Sequence, residues 1–340
     1  MEFLLFSILV SIRLFSNVKE FDRIEVGGSN IVEVVHGSIY FKDKKRDSLY
    51  FPEAGRIRIF SKGKKVKERR YRGSLVIKKV KKEVVVINCL SLEEYLYGVV
   101  GGEMPKAGIE ALKAQAVVSR TFAIKNLKRH GEYDFCDLTH CQNYKGMESE
   151  TEASIRAVEE TKGEVLFYKG ELCDVFYHST CGGKTAESSS IWEKKKKPYL
   201  VSVDDADNCK NSPFYHWKLS ISKKDLEDIL KIEGIKNIKT EENEDGRVRS
   251  VIIEGRDRKR RIKGWDFRML ICKKLGWSSL KSSAFNVKVE RDRVVFYGRG
   301  LGHGVGLCQW GAKGLADKGY TYQEILKHYF PNTEVKRWKF

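Results

Sequence analysis

The sequence predicts an α+β protein with a β-rich first part, and three observations carry that expectation. Short β-branched runs separated by charged turns fill roughly residues 18–90. From Ser91 the apolar period lengthens to that of helices. Farther on, strands and helices fall in separate blocks instead of alternating as β-α-β units, which is the α+β arrangement. At 340 residues and 41% hydrophobic, the chain suffices for one large domain or two ordinary ones, and general disorder is excluded.

The apolar stretch from Phe3 to Ile12 has the length of a signal-peptide core and is too short to span a bilayer. No basic segment precedes it and no clean Ala-x-Ala site follows. Residues 1–17 are expected to be a signal peptide or membrane anchor. Export to the periplasm, cell envelope or exterior follows, with membrane association through the N-terminus. The competing reading is a buried first strand. Residues 18–90 form the expected β-rich region, with strands at Ile31–Val35, Ser38–Phe41, Ile57–Phe60, Leu75–Val80 and Val84–Cys89.

Residues 91–340 form the expected second domain. Ser91-Leu-Glu-Glu has the pattern of a capping box, opening a short helix through Tyr97 before a Gly98–Gly102 loop. A long helix is expected from Gly108 to Arg129 and a second over Thr151–Thr161. Farther on, helices are expected at 223–232, 264–275, 306–318 and 322–329, and strands at 165–168, 172–178, 248–254, 285–290 and 293–297.

The formal charge is +18, with basic runs at Lys62–Arg72, Lys194–Lys197 and Arg256–Lys263. Such a surface suits an anionic polymer or is simply a solvated Lys/Glu-rich exterior. No zinc-finger, helix-turn-helix or aromatic RNA-binding signature accompanies it, so nucleic acid is not an expected partner.

Three segments carry unusual combinations: SLEEYLYGVVGGEMP with EALKAQAVVSRTFAI, then YHSTCGGKTAESSSIW with PYLVSVDD, then GRGLGHGVGLCQWGAKGLADKGYTYQEILKHYFP. Together they resemble the SpoIID/LytB family of sporulation protein D lytic transglycosylases and amidase enhancers, over roughly residues 90–335. The resemblance implies a peptidoglycan lytic transglycosylase. Such an enzyme cleaves the bond between N-acetylmuramic acid and N-acetylglucosamine and leaves a 1,6-anhydro end. Glu103 matches the family's catalytic glutamate. A carboxyl group there would protonate the leaving oxygen and then accept the proton of the attacking C6 hydroxyl. Hydrolytic glycosidases use two carboxylates, and only one of distinction stands in these blocks. A non-catalytic, amidase-enhancer-like regulator that binds the wall and works with a cell-wall amidase is the alternative.

Tyr177, Ser179 and Thr180 of the second block are candidate substrate contacts, and a turn with satisfied hydroxyls is the alternative. The Gly300–Gly311 loop lacks the Lys-Ser/Thr of a P-loop. In the resembling family it lines the cleft, which makes His303 and Gln309 candidate sugar contacts; a backbone-bonded His303 is the alternative. Glu103 and the two later blocks are expected to face one groove.

His130, Cys136, His140 and Cys141 supply the nitrogen and sulfur ligands that tetrahedral Zn²⁺ prefers, and some members of the resembling family carry such a site. Four protein ligands would leave no open position, which argues for structural zinc and against a zinc hydrolase. A Cys136–Cys141 disulfide is the competing reading. Cys89, Cys173 and Cys272 lie in apolar runs and are expected in cores. Cys181 and Cys209 would suit a disulfide in an exported protein, and a Cys308–His303 nucleophile is a further possibility.

Overall fold

A computed structural model of the chain describes residues 8–192 and 195–338. It is α+β and divides into two compact units. Among the described residues, the first comprises 8–167, 172–174 and 335–338; the second comprises 168–171, 175–192 and 195–334. The boundary expected at residue 90 falls inside the first unit, because strand Glu83–Ser91 runs directly into helix α1 (Leu92–Glu103).

The first unit holds two large sheets. One has strand order Phe135–Cys136, Leu9–Leu14, Glu83–Ser91, Ser74–Val80 and Ser48–Phe51. Leu9–Leu14 pairs antiparallel with Glu83–Ser91 along its whole length, and Val10, Ile12 and Leu14 are buried. The described part of the expected signal segment is therefore a core strand, the competing reading. An export core and a buried strand have the same apolar composition, so composition alone does not separate them. Residues 1–7 lie outside the described residues. Among the described residues, no helix is long and apolar enough to cross a membrane.

The second sheet has six strands, with Lys64–Tyr71 at one edge beside Gly55–Ser61. The basic run at Lys62–Arg72 thus contains an edge strand. Lysines and arginines on such an edge discourage pairing with another chain.

Helix α1 opens with the expected capping box: Ser91 Oγ accepts from the Glu94 N–H, and Glu94 Oε2 accepts from the Ser91 N–H. The expected Gly98–Gly102 loop is a correction, since α1 stays helical through Glu103. These glycines serve close approach within a helix. A Cβ on Gly101 would lie 1.9 Å from the Ser149 carbonyl oxygen. Helices α2 (Ile109–Lys125) and α3 (Glu152–Glu160) pack with α1. Helix α2 is buried around most of its circumference, where Ala111, Ala114, Ala116 and Ala123 permit close packing.

Arg120 of α2 ties these helices together. Its side chain is fully buried, with Nη2 2.6 Å and Nε 2.9 Å from the Glu93 carboxylate of α1. The same guanidinium donates to the Val158 carbonyl of α3 and to the Glu164 carbonyl beyond it.

In the second unit, helices α4 (Ser188–Trp192), α5 (Lys223–Leu230), α6 (Gly264–Leu275), α7 (Gln309–Asp317) and α8 (Tyr322–Tyr329) accompany three small sheets. Two antiparallel three-stranded sheets, His216–Ser222/Arg293–Arg299/Phe285–Val289 and Asn237–Glu242/Val248–Glu254/Lys259–Lys263, enclose with α5 and α6 a core built on Trp217, Leu226, Val251, Phe267 and Phe296. The expected strand at 172–178 is split into Glu171–Leu172 and Tyr177–His178. Cys173 and Cys272 are buried as expected, whereas Cys89 is only half-buried.

Removing one partner of a buried ion pair strands the other charge. Arg120→Ala is therefore expected to destabilise the protein by about 3–5 kcal/mol, read from urea unfolding at pH 7.

Candidate functional site

Glu103 is the last residue of α1 and is half-buried. Its Oε1 accepts the Asn143 backbone N–H at 2.7 Å, and the Asn143 side-chain amide donates to the Gly102 carbonyl at 2.8 Å. Asn143 thus grips the end of the helix twice and fixes the carboxylate. Helix ends of this polarity gather partial negative charge, which opposes an ionised carboxylate, while the N–H opposes that effect. Sequence reasoning missed Asn143 because it acts on Glu103 through its backbone.

Two residues before Asn143 stands Cys141, in the expected metal cluster. His130 Nε2 lies 3.2 Å from Cys141 Sγ, and Cys136 Sγ lies 3.3 Å from His140 Nδ1. The four ligand atoms all fall within 4.8 Å of one another. A single Zn²⁺ holding two sulfurs and two nitrogens needs N–S edges of about 3.6 Å. The donor set and spacing therefore fit one tetrahedral ion. Cys136 sits in the short strand Phe135–Cys136, paired parallel with Leu9–Leu14, and its Sγ accepts the Leu138 N–H. The hydrogen bond between the two thiols draws Cys141 down to about 5 and pushes Cys136 up; His130 also lowers Cys141.

In the second unit, the second and third sequence blocks come together. Tyr177–His178 pairs in parallel with Leu307–Cys308, and Thr180 bridges to Leu301. Tyr177, Ser179 and Gln309 are half-buried. Thr180 is buried, and its Oγ1 lies 2.7 Å from Ser212 Oγ, so this expected substrate contact holds the turn instead.

His303 is also engaged by the protein. Its Nδ1 accepts the Val305 N–H at 3.0 Å, the Tyr177 backbone also bonds to the ring, and Trp192 lies against it with centroids 5.2 Å apart. Burial and the nearby Arg247 charge push the His303 imidazole down to about 3, so it is neutral at physiological pH. His178 beside it is pushed well down by burial and by His303. Cys308 does not pair with His303 as a nucleophile: it is fully buried, and its Sγ accepts the Cys181 and Gly311 N–H groups.

The family model described as Stage II sporulation protein matches residues 80–168, the stretch that holds Glu103, Asn143 and the His/Cys cluster. Stage II sporulation protein D of Bacillus subtilis is 31% identical over 268 residues, covering 72% of this chain and 74% of its own length. An uncharacterised protein of Brachyspira hyodysenteriae is 30% identical over 275 residues, covering 78% of this chain and 72% of its own. The amidase enhancer of Bacillus subtilis is 30% identical over 291 residues; the match covers 71% of this chain but only 40% of that protein. This chain belongs to the SpoIID family.

The histidine geometry gives a pH dependence. An imidazole near 3 in the folded state and about 6.5 when unfolded leaves the unfolded chain with more protons between those values. The stability it contributes is present above pH 6.5 and is lost as pH falls toward 3. Urea unfolding between pH 7 and pH 5 is expected to show His303 contributing a slope of up to about 1.4 kcal/mol per pH unit, absent in His303→Gln.

Proposed function

We propose that this protein is a cell-wall enzyme that cleaves peptidoglycan glycan strands as a lytic transglycosylase, with Glu103 as general acid and then general base. The observation that carries this reading is the clamp on Glu103: a half-buried carboxylate fixed by the Asn143 N–H at the end of α1, within the family-matched stretch. Positioning of this kind is what an acid/base residue requires.

In the proposed reaction the Glu103 carboxylic acid gives its proton to the glycosidic oxygen as the C1–O bond breaks. The C6 hydroxyl of the same N-acetylmuramic acid residue bonds to C1 and returns a proton to the carboxylate. No water is consumed, and the product carries a 1,6-anhydro ring. Tyr177, Ser179, His303 and Gln309 are proposed to shape the binding of sugar, with His303 acting through the loop its ring holds. The +18 charge favours an anionic wall, and action in the cell envelope after export is part of the proposal.

Zinc is proposed at His130, Cys136, His140 and Cys141. When bound there it supplies no chemistry to the substrate, because four protein ligands close its coordination. The cluster instead anchors the segment that delivers the Asn143 N–H to Glu103.

The second reading rests on the similarity to the amidase enhancer: a wall-bound protein that stimulates a cell-wall amidase. Mass spectrometry of products from intact and peptide-stripped peptidoglycan separates the two. Anhydro-muropeptides or anhydro-disaccharides are expected from the wild type. Glu103→Gln, isosteric but unable to shuttle a proton, should lose activity at least about a hundredfold while unfolding like the wild type. Amidase stimulation with no anhydro product would support the second reading.

For the metal, elemental analysis should find that Cys136→Ser/Cys141→Ser loses one zinc equivalent per chain relative to wild type. An unchanged metal content, or an intact Cys136–Cys141 disulfide, would remove zinc from this site.

A further inference from the structure

Outside that cluster, the second unit gathers Cys181, Asp205, Cys209 and Cys308 around one point. The three Sγ atoms and a carboxylate oxygen lie within 4.8 Å of one another, and all four residues are 0% exposed. They come from three distant parts of the chain: the turn after Tyr177–His178, the 205–209 turn and the start of α7.

We infer that these four residues form a second, structural metal site that takes one tetrahedral divalent ion of the zinc class. The inference is independent of the catalytic reading of Glu103.

Spacing is the first argument. Cys181 Sγ and Cys209 Sγ are 3.5 Å apart. Thiolates on one Zn²⁺, with Zn–S bonds of about 2.3 Å, stand about 3.7 Å apart along a tetrahedral edge. A disulfide would need about 2.05 Å and would leave Cys308 and Asp205 outside the bond.

Backbone donors aimed at sulfur are the second. Cys308 Sγ accepts the Cys181 N–H at 3.2 Å and the Gly311 N–H at 3.3 Å. Cys209 receives backbone hydrogen bonds from Gly182 and Gly183. Those two glycines adopt φ of +78° and +100°, which lets successive N–H groups wrap one anion. Donors of this kind stabilise a thiolate more than a thiol.

The outer shell is the third. Cys181 Sγ lies 3.0 Å from Asp205 Oδ2, which leaves Oδ1 for the surrounding residues. Tyr329 donates to Oδ1, Asn208 Nδ2 lies 3.4 Å from it and His328 Nε2 lies 3.5 Å from it. A ligating carboxylate oriented by hydrogen bonds on its other oxygen is the usual outer-shell arrangement.

Charge is the fourth. Three thiolates and a carboxylate around a divalent ion carry a net −2. The Arg247 guanidinium is buried and interacts electrostatically with Asp245 first, and then with Cys181 and Cys308. Its Nη2 donates to the Cys181 carbonyl, while Nε and Nη1 are without hydrogen-bond partners. A buried cation is stabilised by each anionic centre beside it, and the loaded site supplies one in addition to Asp245.

The ion would join the Tyr177–Thr180 turn to the start of α7, which carries Gln309. The pairing it reinforces is only two residues long on each side.

The test is the metal count of the full chain, purified without chelator and reloaded with zinc alone or cobalt alone. Wild type is expected to hold two equivalents. Cys136→Ser/Cys141→Ser should keep one, and adding Cys209→Ser or Asp205→Asn should remove it. In the Cys136→Ser/Cys141→Ser background, cobalt should give thiolate-to-metal absorption matching three sulfurs. Because that background leaves every residue of the second unit intact, it tests the site even if Cys209→Ser fails to fold. No metal in that background, a Cys181–Cys209 disulfide found by mass spectrometry, or iron with inorganic sulfide in place of zinc would overturn the assignment.

Discussion

The first unit depends on one buried charge. Arg120 lies wholly inside the protein, and its guanidinium meets α1 through Glu93, α3 through the Val158 carbonyl and the following strand through the Glu164 carbonyl. A nonpolar side chain at 120 would take a donor from both carbonyls and leave the Glu93 carboxylate without its cation. The pair therefore fixes the mutual setting of three helices. The position of Glu103, one end of α1, follows from that setting.

The same end of α1 is fixed from its other side by proximity. Gly98, Gly101 and Gly102 let the 143–149 segment lie directly on the helix backbone, where a Cβ would meet Gly146, Ser149 and Asn143 oxygens at 2.9, 1.9 and 2.7 Å. Helical glycine costs about 1 kcal/mol relative to alanine at each position. Here that cost is offset by the hydrogen bonds the approach permits, among them Ser149 Oγ to the Gly98 carbonyl. The His/Cys cluster, the Asn143 N–H and the Glu103 carboxylate thus form one continuous support.

What could be read from the sequence depended on whether the deciding contacts were local. Strand Val248–Glu254 and helices Gly264–Leu275 and Tyr322–Tyr329 lie where periodicity and capping put them. The Lys64–Tyr71 strand was hidden, because its outward lysines and arginines look like a solvated charge run until a partner strand is known. The glycines of α1 read as a loop because their purpose is a contact with residues 41 to 48 positions away. At the candidate site, Glu103 drew notice through its motif, and His130, Cys136, His140 and Cys141 through their closeness in sequence. Thr180 and His303 are bonded to Ser212 and Val305, because polar side chains beside glycines also serve to hold turns. Cys181, Asp205, Cys209 and Cys308 were each visible, but no local spacing joins residues from three distant parts of the chain.

The short pairing of Tyr177–His178 with Leu307–Cys308 sets the order in which the second unit can assemble. Within it, His178 and Val305 are 127 residues apart. Closing so long a loop costs entropy before a four-residue contact returns anything, and parallel pairing of this kind is slow. Between the two strands lies a module with its own core, from Trp217 to Phe296. Once that module has folded, the free chain left to close is much shorter. The glycine loop carrying His303 is therefore among the last parts of the unit to reach its final form, and it is the first exposed to proteolysis or misassembly if the module is delayed.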